Sequence, residues 1–163
     1  MFEAEILTLA QSVLDACRAR GGHVATAESC TGGLVAGALT AIAGSSDVVE
    51  RGFVTYSNEA KSELLGVPPD IISAHGGVSA ETAAAMAQGA VARSPVDLAI
   101  SVTGVAGPGG ATPTKPVGLV LFGLARRDGT CRTERRIFDG DRSAVRQAAL
   151  QVALSLLENE ARS

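Results

Sequence analysis

Apolar residues recur at Ile6, Leu9, Ala10, Val13, Leu14 and Cys17, spacings of three and four that put them on one face of a helix starting near Phe2. Gly21-Gly22 stops that helix, and the pattern then changes period. His23 to Ala27 reads as a short strand, and Leu34 to Ala43 as an alanine-rich helix closed by Gly44-Ser45-Ser46. Strand, glycine turn and helix make half of a βαβ unit. Val49 to Tyr56 is a second strand, after which Asn58 is expected to cap a short helix broken at Pro68-Pro69. From there through His75-Gly76-Gly77 the chain reads as loop. Ser79 caps a helix from Ala80 to Ala92 that Pro95 closes, and Val96 to Val102 is the mostly apolar run of a strand covered on both faces. Val117 to Leu124 and Arg132 to Phe138 pair across the hairpin turn Arg126-Arg127-Asp128-Gly129. Asp141 then caps a last helix whose buried stripe is Val145, Ala149, Val152 and Leu156. The alternation predicts an α/β fold: a single three-layer α/β/α domain over residues 1–163 with a mixed, mainly parallel sheet.

Composition narrows the function. Residues are 46% hydrophobic but only 3% aromatic, so the core must be built from Ala, Val, Ile and Leu, and its helices can approach their neighbours closely. A net charge of −3 and a scarcity of rings on which bases could stack argue against a nucleic-acid binder. Cys17, Cys30 and Cys131 are too few and too scattered for a CxxC metal site or a disulfide framework, and read as reduced thiols of a cytoplasmic protein. The first residues are acidic, and no apolar run approaches about 18 residues, so neither a leader nor a membrane span is expected.

Three polar motifs stand directly after strands: Thr26 to Gly33, Tyr56 to Lys61, and Thr103 to Gly110. If those strands are parallel, their carboxyl ends bring the motifs to one edge of the sheet, where open α/β sheets bind ligands. Ser29 is in the simplest reading a helix cap, but Gly32 and Gly33 leave backbone N–H groups free to face an oxyanion or a phosphate, which makes it a candidate nucleophile. Cys30 is the second candidate, or a buried inert thiol. The base is harder to find. His23 begins a strand and His75 lies in a loop, so Lys61 is the better choice. A lysine of pKa about 10.4 is only about 0.1% neutral at pH 7.4, a penalty of roughly 4 kcal/mol that burial and a helix N-terminus can offset. Tyr56 is placed to relay or hold a proton. Its spacing of five from Lys61 is not the four of the short-chain dehydrogenases, and no GxGxxG or GxxxxGK[ST] is present. The second glycine loop offers a backbone nest to an anion, with Thr103 adding a hydroxyl, or is simply a tight connection. Arg142 and Arg146 share a helix face near its N-terminus, where a bound phosphate would relieve their conflict with the dipole; pairing with Asp139 or Asp141 is the alternative, slightly favoured for Arg146.

ThrAlaGluSerCysThrGlyGly at Thr26 to Gly33, GlyPheValThrTyrSerAsnGluAlaLys at Gly52 to Lys61, ThrGlyValAlaGlyProGlyGly at Thr103 to Gly110, LysProValGly at Lys115 to Gly118 and GlyAspArg at Gly140 to Arg142 together resemble the CinA C-terminal domain family, from about residue 3 to residue 158. That family includes nicotinamide-nucleotide amidohydrolases. The resemblance implies hydrolysis of the carboxamide of nicotinamide mononucleotide to nicotinic acid mononucleotide and ammonia, in pyridine nucleotide salvage, with neither metal nor other cofactor. By motif position Ser29 is the nucleophile, Lys61 its base and Tyr56 the assisting hydroxyl. Cys30, Thr31, Gly32 and Gly33 face the oxyanion, Thr103 and Gly104 line the substrate site, and Arg142 meets the phosphate. Longer members carry an additional N-terminal domain, so the chain resembles the stand-alone form. Ala111 replaces a glycine that often continues the second loop. The partner expected is a small-molecule nucleotide, not nucleic acid or membrane, and a homo-oligomer is left open. The competing reading is a non-catalytic nucleotide-binding or interaction module of the same fold.

Overall fold

The computed structural model describes residues 1–163, and at its centre β1 (Val24–Glu28) lies between β2 (Val49–Val54) and β3 (Leu98–Gly104), parallel to both. β4 (Leu119–Arg126) runs antiparallel to β3, and β5 (Cys131–Ile137) antiparallel to β4, giving the order β2-β1-β3-β4-β5. β5 therefore points the same way as β1, β2 and β3, and only β4 opposes them. The sheet is mixed and mainly parallel, as its hydrophobic pattern predicts.

Alternation along the central strands sorts the helices into two layers. Val24, Leu98, Ile100, Val102, Val120, Phe122 and Leu124 face one side, where they join the buried stripes of α1 (Ala4–Arg18), α2 (Leu34–Thr40) and α6 (Arg142–Arg162) in the main core. The intervening positions, Ala25, Ala27, Ala99, Ser101 and Gly123, are small, and α5 (Ala80–Ala92) packs on them through Ala83, Met86 and Ala90. Gly123 is required there: a Cβ would overlap the Ala83 carbonyl oxygen and crowd the Ser101 hydroxyl. α3 (Asn58–Leu65) and α4 (Pro69–His75) pack beside α5.

The caps expected at Ser79 and Asp141 are in place, accepting the amides of Thr82 and Ala144 at 3.0 and 2.9 Å. Two local expectations are corrected. Ser57, not Asn58, caps α3, its hydroxyl accepting the Ala60 amide at 3.0 Å, which moves Lys61 one position deeper into the helix. Residues after Pro68 form α4 rather than loop, because Pro69 occupies the first helical position, where its missing N–H costs nothing. The final helix buries Val145, Ala149 and Leu156 of its predicted stripe, leaves Val152 half-buried, and takes Leu150, Ala153, Leu154 and Leu157 inside as well.

Candidate active site

Parallel pairing carries the chain out of β1, β2 and β3 at one edge. The Ser29 amide donates to the Val102 carbonyl at 2.8 Å, and the Thr55 amide to the Glu28 carbonyl at 2.8 Å, so the three exits are tied together. From the β2 exit α3 turns back over the edge, and Lys61 drives its amine inward until 2% of the residue is exposed. Its Nζ lies 3.1 Å from Ser29 Oγ and 3.0 Å from the Thr55 carbonyl oxygen. No carboxylate pairs with it.

Burial holds the Lys61 pKa below its ordinary value of 10.5, against the opposing pull of Cys30 and Glu59. Cys30 contributes little to that opposition at neutral pH. Its own thiol is buried and pushed up to about 11, chiefly by loss of water, so it carries no charge. The main cause of the lysine shift is thus desolvation, the first of the two effects expected from the sequence. Nζ donates to the Thr55 carbonyl and to the Ser29 hydroxyl oxygen; once deprotonated, its lone pair would instead accept the Ser29 hydroxyl hydrogen. The same thiol shift makes Cys30 a poor nucleophile, and Ser29 is the hydroxyl in contact with the buried amine.

The start of α2 is occupied by the protein itself. Glu28, fully buried, accepts the amides of Gly33, Val35 and Ala36 at 3.1, 3.0 and 2.9 Å. A carboxylate at a helix N-terminus satisfies both the orphan donors and the dipole. Ser29 is therefore not the helix cap, and Gly33 has no amide left for a ligand. Gly32 donates to the Ser29 carbonyl at 2.9 Å. Of the expected oxyanion residues, only the amides of Cys30 and Thr31 donate to no protein acceptor. Gly32 and Gly33, at φ +59° and +100°, instead turn the chain from strand to helix in conformations that glycine adopts freely.

A cavity of about 350 Å³ opens over Ser29, Cys30 and Lys61, with Tyr56, Asn58, Gly77, Val78, the segment Thr103 to Gly107, Gly109, Gly110 and Arg142 around it. Thr31, Gly32 and Gly33 do not line it. Thr103 is buried and its hydroxyl donates to the Gly77 carbonyl at 2.7 Å, which leaves it only as an acceptor toward a ligand. Tyr56, 60% exposed, is outside the Ser29–Lys61 hydrogen bond; its hydroxyl accepts from Arg142 at 2.8 Å. A phenol that accepts from a guanidinium keeps its own hydrogen free to donate. Arg142 also reaches the Gly107 carbonyl at 2.9 Å and is, with Lys61, one of the two basic side chains on the lining.

Arg146 does not line the cavity and pairs with neither Asp139 nor Asp141; it donates to the carbonyls of Cys30 and Thr31 at 3.1 and 3.3 Å. His23 and His75 stand near Asp97 and Glu81, away from the site. Ala111 is exposed and does not line the cavity. No three His, Cys, Asp or Glu side chains come together as a metal site. Sequence reasoning missed Asn58 as a wall residue, the Gly77-Val78 turn, and Glu28. The only signal for Glu28 was its charge at the end of an otherwise apolar strand.

Comparison with known proteins gives a consistent set of likenesses. The sequence model of the CinA C-terminal domain matches residues 6–161. Nicotinamide-nucleotide amidohydrolase PncC of Escherichia coli (strain K12) is 48% identical over 157 residues, 96% of this chain and 95% of that protein. A putative competence-damage inducible protein of Caldicellulosiruptor bescii is 51% identical over 137 residues, 84% of this chain; the chain spans only 33% of that relative's length. Among solved structures, the competence/damage inducible protein CihA of Agrobacterium tumefaciens superposes with a TM-score of 0.93 at 47% identity, covering 96% of both chains. A CinA superfamily protein of Escherichia coli superposes with a TM-score of 0.91 at 34% identity over 98% of this chain and 93% of its own.

Proposed function

The chain belongs to the CinA C-terminal domain family, and we propose that it is an amidohydrolase that converts nicotinamide mononucleotide and water to nicotinic acid mononucleotide and ammonia, in pyridine nucleotide salvage. The near full-length likeness to the Escherichia coli amidohydrolase supports the substrate. The observation that carries the mechanism is the 3.1 Å contact between a buried, carboxylate-free lysine and a serine on the cavity wall. Phosphate recognition alone would need neither.

Ser29 Oγ attacks the carboxamide carbon while its proton passes to Lys61 Nζ. The carbonyl oxygen becomes an oxyanion that the free Cys30 amide can meet, and preorganised donors of this kind are worth about 3 kcal/mol in comparable sites. Collapse breaks the C–N bond, and the nitrogen leaves as ammonia carrying the proton held by Lys61, directly or through the Tyr56 hydroxyl. Water then attacks the acyl-enzyme, giving one proton to Lys61; collapse breaks the acyl C–O bond, Ser29 Oγ takes that proton back from Lys61, and the carboxylic acid product loses its remaining proton to solvent as it leaves. The Thr55 carbonyl keeps the amine aimed at Ser29 throughout. Arg142, with the amides of the second glycine loop beside it, is the group that meets the phosphate.

Ammonia release from nicotinamide mononucleotide tests this directly. The expected result is turnover by the wild type, loss of about a thousandfold or more in Ser29→Ala, and near-full retention in Cys30→Ala, whose amide is unchanged. Equal rates in wild type and Ser29→Ala would reject the nucleophile. Tight binding of the nucleotide without turnover in any form would instead favour a binding module.

A further inference from the structure

The loop that carries Ser29 is held from two sides by charged groups, and only one of them comes from a distant part of the chain. Glu28 takes the amides on the helix side of the loop. Arg146, from the second turn of α6, takes carbonyls on the strand side through Nε and Nη2. We infer that Arg146 is a positioning residue for the nucleophile, fixing from the side opposite Glu28 the two peptide planes that follow Cys30 and thereby holding the loop that carries Ser29 and the free Cys30 amide.

In a trans peptide the C=O and N–H point in opposite directions across one plane. The Ser29 carbonyl is held by the Gly32 amide at 2.9 Å, which turns the Cys30 N–H the other way. The Cys30 carbonyl is held by Arg146 at 3.1 Å, which does the same to the Thr31 N–H. These are the two amides of the loop that donate to nothing in the protein. The guanidinium also sits against Gly32, 3.5 Å from where a Cβ would be, so it closes over the turn itself. An arginine suits this task because its planar fork offers two parallel N–H groups to two successive carbonyls, which a lysine ammonium cannot match in register. Arg142 lies one helical turn earlier on α6 and lines the cavity; the same helix end thus meets the ligand with one arginine and the nucleophile loop with the other.

The catalytic consequence rests on the serine amidohydrolase reading, so the test has an arm that does not. Arg146→Ala and Arg146→Lys are made in the full chain and compared with the wild type by kinetics on nicotinamide mononucleotide and by amide hydrogen exchange. Misplacing the loop should lower kcat about tenfold or more, with KM held within about threefold. Arg146→Lys should fall between wild type and Arg146→Ala, the pH dependence of kcat should stay where it is, and millimolar guanidinium should restore part of the Arg146→Ala rate but none of the Ser29→Ala rate. Exchange should quicken in residues 29–34 and stay unchanged in the middle of α6. A raised KM at unchanged kcat would make Arg146 a substrate ligand and overturn the inference. So would exchange in residues 29–34 equal to that of the wild type. If Arg146→Ala does not fold, Arg146→Lys carries both readouts. If the wild type releases no ammonia, the amidohydrolase reading fails alone, and the exchange comparison still decides whether Arg146 holds the loop.

Discussion

Lys61 is buried without a counter-ion, and that single fact links activity and stability through one proton. Desolvation lowers its pKa from 10.5 in the folded protein. In the proposed mechanism the neutral amine is the base, so kcat/KM should rise with pH through that lowered value, and Lys61→Arg should be inactive because a guanidinium does not deprotonate. For stability the sign follows from proton counting. Between the lowered pKa and 10.5 the unfolded chain holds a proton that the folded chain has lost, so folding gains as pH rises across that window. Below both values the whole cost of burying the ammonium is present, about 1.4 kcal/mol for each unit of lowering. Lys61→Met carries no such cost. Its stability relative to the wild type should be most favourable at low pH and should decline steadily as pH approaches 10.5. Urea midpoints for the two proteins between about pH 6 and pH 10 measure it; a difference that does not change with pH would contradict a desolvated lysine.

At the scale of elements, the small residues between α5 and the sheet set how closely the layers meet. Gly89 sits inside α5, where glycine costs about 1 kcal/mol relative to alanine, yet a Cβ there would overlap the Leu65 carbonyl oxygen at the end of α3. Gly37 in α2 has the same intrinsic cost, but a Cβ would rest 3.4 Å from the rim of the Phe2 ring, the end of a side chain that can move. The same substitution should therefore have opposite signs. Gly89→Ala should destabilise by about 1–3 kcal/mol through overpacking, and Gly37→Ala should stabilise by up to about 1 kcal/mol through helix propensity. Chemical denaturation separates the two, and a stabilising Gly89→Ala would mean that α3 yields to α5. Most elements could be read from local chemistry because their signals are local: Ser79 and Asp141 cap their helices wherever the rest of the chain goes. The turn into α2 could not. Its capping carboxylate comes from Glu28, at the end of β1, and only the fold shows that this strand residue points back at the helix start.

For the molecule as a whole, three loops become one site because β1, β2 and β3 run parallel, and their order in the sheet was not written in any of them singly. Ser29, Lys61 and Tyr56 were visible in the sequence by residue type and position after a strand, and Arg142 by its place at the start of the last helix. Their division of labour was not, since it depends on which donors the protein already uses. Glu28 fills the α2 N-terminus and Arg146 is committed to backbone carbonyls, so of the three anion sites that the sequence suggested, the α2 start is closed and the second glycine loop and Arg142 remain, on one cavity wall. A prediction follows for substrate choice. Arg142→Ala should raise KM for nicotinamide mononucleotide about tenfold or more, the usual range for losing a charge-assisted contact, while its effect on nicotinamide riboside, which has the same carboxamide and no phosphate, should be within about threefold. The preference of the enzyme for the nucleotide over the nucleoside should collapse accordingly. Because Arg142 also holds the Tyr56 hydroxyl, the riboside series doubles as the control for proton transfer. A loss of kcat shared equally by both substrates would assign Arg142 to holding Tyr56 rather than to the phosphate.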